Sequence, residues 1–137
     1  MRYTLLDGAR NEVILLARIL LMLLFVISGW GKLTHFGGTV DYMTSLGAPV
    51  PMVAAAIAVV MEFFVAILLI IGFYTRPLAA LMAVFVLGTA LIGHPFWGMV
   101  NPERMANMIH FFKNMAIIGG LLMLAVTGPG RYSVDGR

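Results

Sequence analysis

The sequence predicts an all-α fold: an integral membrane bundle of four transmembrane helices, forming one domain over residues 1–137. Two observations carry that prediction. The 137-residue chain is 61% hydrophobic and only 11% charged, whereas soluble domains average about a quarter charged residues. Its apolar residues also fall into four long stretches, each close to the ~20 residues that a bilayer crossing requires. The length suits one compact unit with no room for a second domain.

The first span is expected from about Val13 to Trp30. It contains Arg18 and runs into Ser28-Gly29-Trp30-Gly31-Lys32 instead of a small-residue cleavage pattern, so it reads as a retained helix and not a signal peptide. The second span runs from Pro51 to about Tyr74, the third from about Pro77 to Phe96, and the fourth from Pro102 to about Thr127. Each proline falls in a first helical turn, where the missing N–H costs nothing, and Asn101 is the expected cap of the fourth span. Gly72 and Gly128 supply stop signals. The link from Phe73 to Pro77 is so short that the second and third spans must be antiparallel neighbours. The segment Leu33 to Val50 is long enough for a short helix or a re-entrant turn, and its Gly37-Gly38 and Gly47 argue for an irregular path. The tail from Gly128 to Asp135 reads as a turn-rich cap. A weak echo links Leu21-Met22…Phe25-Val26 to Leu81-Met82…Phe85-Val86, as a two-helix duplication would.

Arg2, Arg10, Arg76, Arg131 and Arg137 flank the spans on one side, and Lys32 and Arg104 on the other. The positive-inside rule then predicts that both termini are cytoplasmic. The chain has no cysteine. Thiol–disulfide exchange, cysteine-ligated zinc, iron–sulfur clusters and covalent c-type haem are therefore excluded, and any redox role must use a borrowed cofactor. The net charge of +3 is spread along the chain, so nucleic acid is not an expected partner. The lipid bilayer is.

Three charged residues lie well inside apolar stretches: Arg18, Glu62 and Lys113. A charge at bilayer depth is costly; it usually faces the bundle interior and marks a functional site. Glu62 lies eleven positions after Pro51 and Lys113 eleven after Pro102, which sets both roughly 16 Å below the starts of their spans. Arg18 lies fourteen positions before Lys32, roughly 21 Å from that end. The arithmetic permits one polar core of Arg18, Glu62 and Lys113 near the midplane. One acid facing two bases leaves a positive surplus able to hold an anion or a polarised carbonyl. The competing reading is a packing clamp, Arg18 to Glu62, that only fixes helix registry.

A second polar set lies nearer the loops opposite the termini. Asn107, His110 and Asn114 follow i, i+3, i+7 spacing on one helix face, with Lys113 beside it. His94, Trp97 and Lys32 come to the same level. Imidazole, ammonium and amide donors among aromatic rings are what a quinone requires, with donors on the ring oxygens and aromatics on the faces. The candidate ligand-binding residues are therefore Lys32, His94, Trp97, His110 and Asn114. The bland alternative is interhelical hydrogen bonding with His94 and Trp97 in the interfacial belt. Nothing fixes a metal-binding spacing for His94, His110 and Glu62, so no metal site is assigned, and no residue is assigned a catalytic role.

In order and spacing these residues resemble the DoxX family of small bacterial four-helix membrane proteins. The resemblance rests on Arg18, Ser28-Gly29-Trp30-Gly31-Lys32, Glu62 and Ile71-Gly72-Phe73-Tyr74-Thr75-Arg76. It continues through His94, Phe112-Lys113-Asn114, Gly119-Gly120 and Gly130-Arg131-Tyr132-Ser133. It implies a bacterial inner-membrane protein loosely associated with respiratory or thiol-stress redox chemistry. A related branch uses paired cysteines for electron transfer, and this chain has none. The leading expectation is a small subunit of an inner-membrane redox system, contacting quinone and a redox enzyme partner. A non-catalytic scaffold or assembly factor is the main alternative, and an oligomeric small-solute transporter the third; a homo-oligomer fits any of these.

Overall fold

The computed structural model describes residues 5–136. Among them no strand occurs, and four helices are long and apolar enough to cross a membrane. We number the helices α1 (Arg10–Thr34), α2 (Phe36–Ser45), α3 (Pro51–Ile71), α4 (Thr75–Gly93) and α5 (Glu103–Thr127). Short 3₁₀ turns precede α1 (Asp7–Ala9) and follow α4 (Phe96–Gly98). The four expected spans are present, with ends shifted by a few residues. Two finer expectations fail. Asn101 does not cap α5, whose first position follows Pro102 without any side-chain cap. Gly37 and Gly38 lie within regular α2, where packing against α3 outweighs the ~1 kcal/mol helix penalty of each glycine.

The helices pack as two antiparallel pairs, α1 with α3 and α4 with α5, while α2 lies across the first half of α3. Fully buried Met22, Leu69, Met82, Val86 and Leu121 bring all four spans into one core. On α1 the buried face is Arg18, Met22, Phe25 and Gly29, the 3.6-residue stripe of a helix with one interior side. Gly29 is essential to the first pair. A Cβ there would lie 2.6 Å from the Glu62 carbonyl carbon and the Phe63 nitrogen. Opposite it, α3 departs from α-helical form and winds as a π-helix over Val60–Val65. Such wide turns are frequent at functional sites, and this one carries Glu62.

The ends of the bundle are built differently. At the end bearing the termini, every helix terminus is tied by a residue remote in sequence. The Arg18 guanidinium donates to the carbonyls of Leu69, at 3.5 Å, Ile70, at 2.7 Å, and Tyr132. The tail adds Val134 N–H to the Ile71 carbonyl, at 3.0 Å, and Asp135 N–H to that of Gly72, at 2.9 Å. Gly72 itself turns α3 into the left-handed region at φ 74°; a Cβ there would run into Ser133 and Arg18. The Asp135 carboxylate accepts the first N–H groups of α4, Tyr74 at 2.9 Å and Thr75 at 2.8 Å. Arg76 donates to the last carbonyls of α5, Ala125 through Thr127. Asn11 and Glu12 of α1 hold the tail through Arg131 N–H and the Tyr132 hydroxyl. Helix ends leave four unsatisfied groups each. Here the tail and two arginines satisfy many of them.

Candidate functional site

The opposite half of the bundle encloses a partly open cavity of about 650 Å³ between the two helix pairs, with the α2–α3 segment along one side. That volume lies within the range of small-molecule sites. Most of its wall is apolar: Leu24, Phe25, Ile57, Phe85 and Ile117 are representative. Phe25 and Phe85, the matched aromatics of the α1/α4 sequence echo, both face it.

The polar lining falls into two groups on opposite helix pairs. On α1 and α3, Lys32 Nζ lies 2.8 Å from Glu62 Oε2. Ser28 bridges them, accepting from Lys32 at 2.6 Å and donating to Glu62 Oε1 at 3.5 Å. Ser28 and Lys32 are one turn apart on α1, so the helix itself sets this bridge. The Thr39 hydroxyl of α2 donates to the Lys32 carbonyl at 3.1 Å, tying the end of α1 beneath α2.

On α4 and α5, His94, Thr89, Lys113 and Asn114 line the same space. Asn114 is buried, and its amide donates to the Thr89 hydroxyl at 3.4 Å. Asn107 donates through Nδ2 to the Glu103 carbonyl at 3.0 Å and turns Oδ1 to His94 Nδ1 at 2.9 Å. An amide oxygen only accepts, so this arrangement gives His94 Nδ1 the proton and leaves Nε2 as the ring's remaining polar atom. Lys113 Nζ lies 3.4 Å from His110 Nδ1, and His110 stacks on His94 with ring centroids 5.0 Å apart.

The expected triad does not form. Glu62 and Lys113 line one cavity, whereas Arg18 is engaged by backbone carbonyls at the terminal end. The depth arithmetic takes the end of the first span and the start of the second as level. Instead, Lys32 stands opposite Glu62, eleven residues into α3, because α2 rises alongside the first half of α3. Arg18, fourteen residues before Lys32, then falls roughly 21 Å below the ion pair. The clamp between Arg18 and Glu62 is accordingly replaced by one between Lys32 and Glu62.

Of the candidate ligand residues, Lys32, His94 and Asn114 line the cavity. His110 lies behind His94 and Lys113, exposed on the outer side of α5. Trp97 is 56% exposed and packs with Phe96 and Phe111, outside the lining. The aromatic covers of the cavity are Phe25, Tyr42 and Phe85 instead. Ser28 enters the sequence reading only as part of the motif before Lys32 and is not among the candidate site residues, although its i, i+4 relation to Lys32 is a usable signal. The π-helical turn around Glu62 had none, since no proline or glycine announces it.

Residues 13–95 match the protein-family model described as DoxX. The chain is 53% identical over 137 residues to the inner membrane protein YphA of Escherichia coli K12, a match that covers 100% of this chain and 98% of that protein. It is 41% identical over 122 residues to the inner membrane protein YqjF of the same strain, covering 89% and 88%. A shorter match, 36% over 70 residues, relates half of the chain to 23% of a Surfeit locus protein 4 homolog of Schizosaccharomyces pombe. No solved structure matches significantly.

Proposed function

The chain belongs to the DoxX family, and from that premise we propose that it is a small inner-membrane subunit whose cavity holds a lipid-soluble carbonyl ligand of the quinone class. One observation carries the reading. A cavity of about 650 Å³, apolar over most of its wall, has donors on two opposing sides at its polar end. A quinone is flat, apolar on both faces and carries an acceptor oxygen at each end of its ring. Lys32 on one wall, with the Asn114 amide on the other, suits that pattern. Phe25 and Phe85 supply aromatic surface for the ring. In this reading Glu62 keeps the Lys32 ammonium fixed and charge-balanced, which holds the donor in place before the ligand arrives.

The chain has no cysteine with which to carry electrons. It would therefore present or receive the ligand for a redox enzyme in the same membrane. The relatives' names support the inner membrane, and the arginines beside the terminal end support cytoplasmic termini. Of those arginines, Arg2 and Arg137 lie outside the described residues.

Binding of a benzoquinone with a ten-carbon tail to the detergent-solubilised protein, followed by titration calorimetry, tests this. Gly88 lines the cavity, and a Cβ there would meet nothing within 4 Å. Gly88→Leu should intrude on the cavity, weaken saturable binding and leave thermal stability unchanged. Wild type that fails to bind, or a Gly88→Leu variant that binds equally well, overturns the proposal.

A second reading, a non-catalytic scaffold, is favoured by the terminal end alone, where Arg18 serves only to join helix ends. It expects cavity-filling variants to change complex yield in membranes without changing turnover per assembled complex.

A further inference from the structure

The two polar walls of the cavity differ in charge. Lys32 and Glu62 neutralise each other at 2.8 Å, the one salt bridge among the described residues. Facing them, the α4/α5 wall presents His94, Thr89, Asn114 and Lys113, and no acid. Lys113 has as its side-chain contact the neutral acceptor His110 Nδ1, at 3.4 Å. The charged groups lining the cavity are thus two ammoniums and one carboxylate, with α2 contributing no carboxylate to the lining.

Resting on the reading that the cavity takes a quinone-class ligand, we propose that the form bound is a monoanion, with an ionised ring hydroxyl held by Lys113. Lys113 lines the cavity as an exposed side chain with no carboxylate in contact, so its charge has no counter-ion among the described residues. A neutral carbonyl accepts a hydrogen bond but leaves that charge uncompensated. An ionised hydroxyl on the same ring supplies the missing charge and makes the shorter, stronger charge-assisted bond. Phe25, Phe85 and the surrounding aliphatic wall remain available to the ring and tail, so the anion must be amphiphilic. The role separates the two lysines. Lys32 is already balanced by Glu62, and Lys113 selects charge.

The test compares two probes on the detergent-solubilised full chain by titration calorimetry. One is a hydroxynaphthoquinone carrying an alkyl tail, ionised at neutral pH; the other is its methyl ether, which is uncharged. Wild type should bind the ionised probe about tenfold more tightly than the ether, the scale of one charge-assisted contact. Lys113→Met should bring the two within about twofold by weakening only the ionised probe. Its unchanged ether affinity shows that the variant is folded. Lys113→Arg should restore the preference. Equal affinity of both probes for wild type overturns the proposal while leaving the quinone-class reading intact, as does a Lys113→Met variant that loses both equally. Binding of neither probe overturns that reading and the proposal with it.

Discussion

Arg18 and Lys113 are both cations set into apolar helices, yet the molecule surrounds them in opposite ways. Arg18 is 1% exposed, and its guanidinium donates to three carbonyls drawn from the end of α3 and from the tail. Both terminal nitrogens of the guanidinium are taken by these carbonyls, and the side chain is enclosed. Lys113 stands on the wall of a cavity beside donors that have space in front of them. A charge at membrane depth therefore has two distinct uses here. Where its partners are backbone groups of other helices, it joins elements. Where its neighbours converge on empty volume, it is available to a ligand.

The largest expected effect lies at the joining end. Arg18→Met keeps much of the side-chain volume but leaves the Leu69, Ile70 and Tyr132 carbonyls without their donor. Each buried acceptor left unsatisfied costs about 1–3 kcal/mol, so the variant should lose about 2–4 kcal/mol in reversible denaturation from detergent micelles. Quinone affinity of the folded fraction should stay at the wild-type value. A variant with full stability and impaired binding would reverse the roles assigned to the two ends.

Gly29→Ala probes the seam between them. The added methyl would lie 2.6 Å from the backbone of Glu62 and Phe63, atoms that cannot move aside as a side-chain tip does. Overpacking of this kind costs about 1–3 kcal/mol. It should also displace Glu62 from Lys32, so quinone affinity should fall severalfold alongside stability. If only stability falls, the π-helical turn tolerates the shift and the ion pair re-forms elsewhere. Titration calorimetry on the folded variant separates those outcomes.

The sequence revealed the spans and their order because hydrophobic length and proline placement are local properties. It also singled out most of the polar lining, since Lys32, Glu62, His94, Lys113 and Asn114 are unusual in apolar surroundings. What it did not reveal was the vertical offset between α1 and α3. That offset depends on how the ten residues of α2 climb along α3, a tertiary packing outcome with no periodic signature. One such offset reassigned the partner of Glu62 from Arg18 to Lys32. The terminal end was hidden for a related reason. Asp135 caps α4 from 60 residues away in sequence, so a search for capping residues beside Thr75 finds nothing.

That remote cap gives the smallest and most specific expected effect. Asp135 lies in the tail beyond the spans, and its carboxyl is held below the usual carboxylate range. The cause is first the Thr75 N–H bond, then the adjacent Thr75 side chain, the Tyr74 N–H bond and the nearby Arg18 charge, against the opposing effect of burial. A carboxyl depressed in the folded state stabilises it at pH values above its unfolded pKa, about 3.9 for aspartate. That contribution declines as pH falls from there through the lower folded value. Asp135→Asn keeps one acceptor oxygen, whereas the carboxylate uses both, Oδ1 for Tyr74 and Oδ2 for Thr75. The variant should therefore be less stable than wild type by about 1 kcal/mol at neutral pH, the usual size of an N-cap. The gap should close on acidification, because protonated Asp135 then also offers fewer acceptors. Arg18→Met should instead keep most of its loss at every pH, since its lost partners are carbonyls that do not titrate. Only the smaller part that comes from the Arg18 charge beside Asp135 should fade on acidification. Denaturation midpoints of both variants across the acid range therefore distinguish a charged cap from a backbone-bound joint within the same end of the bundle.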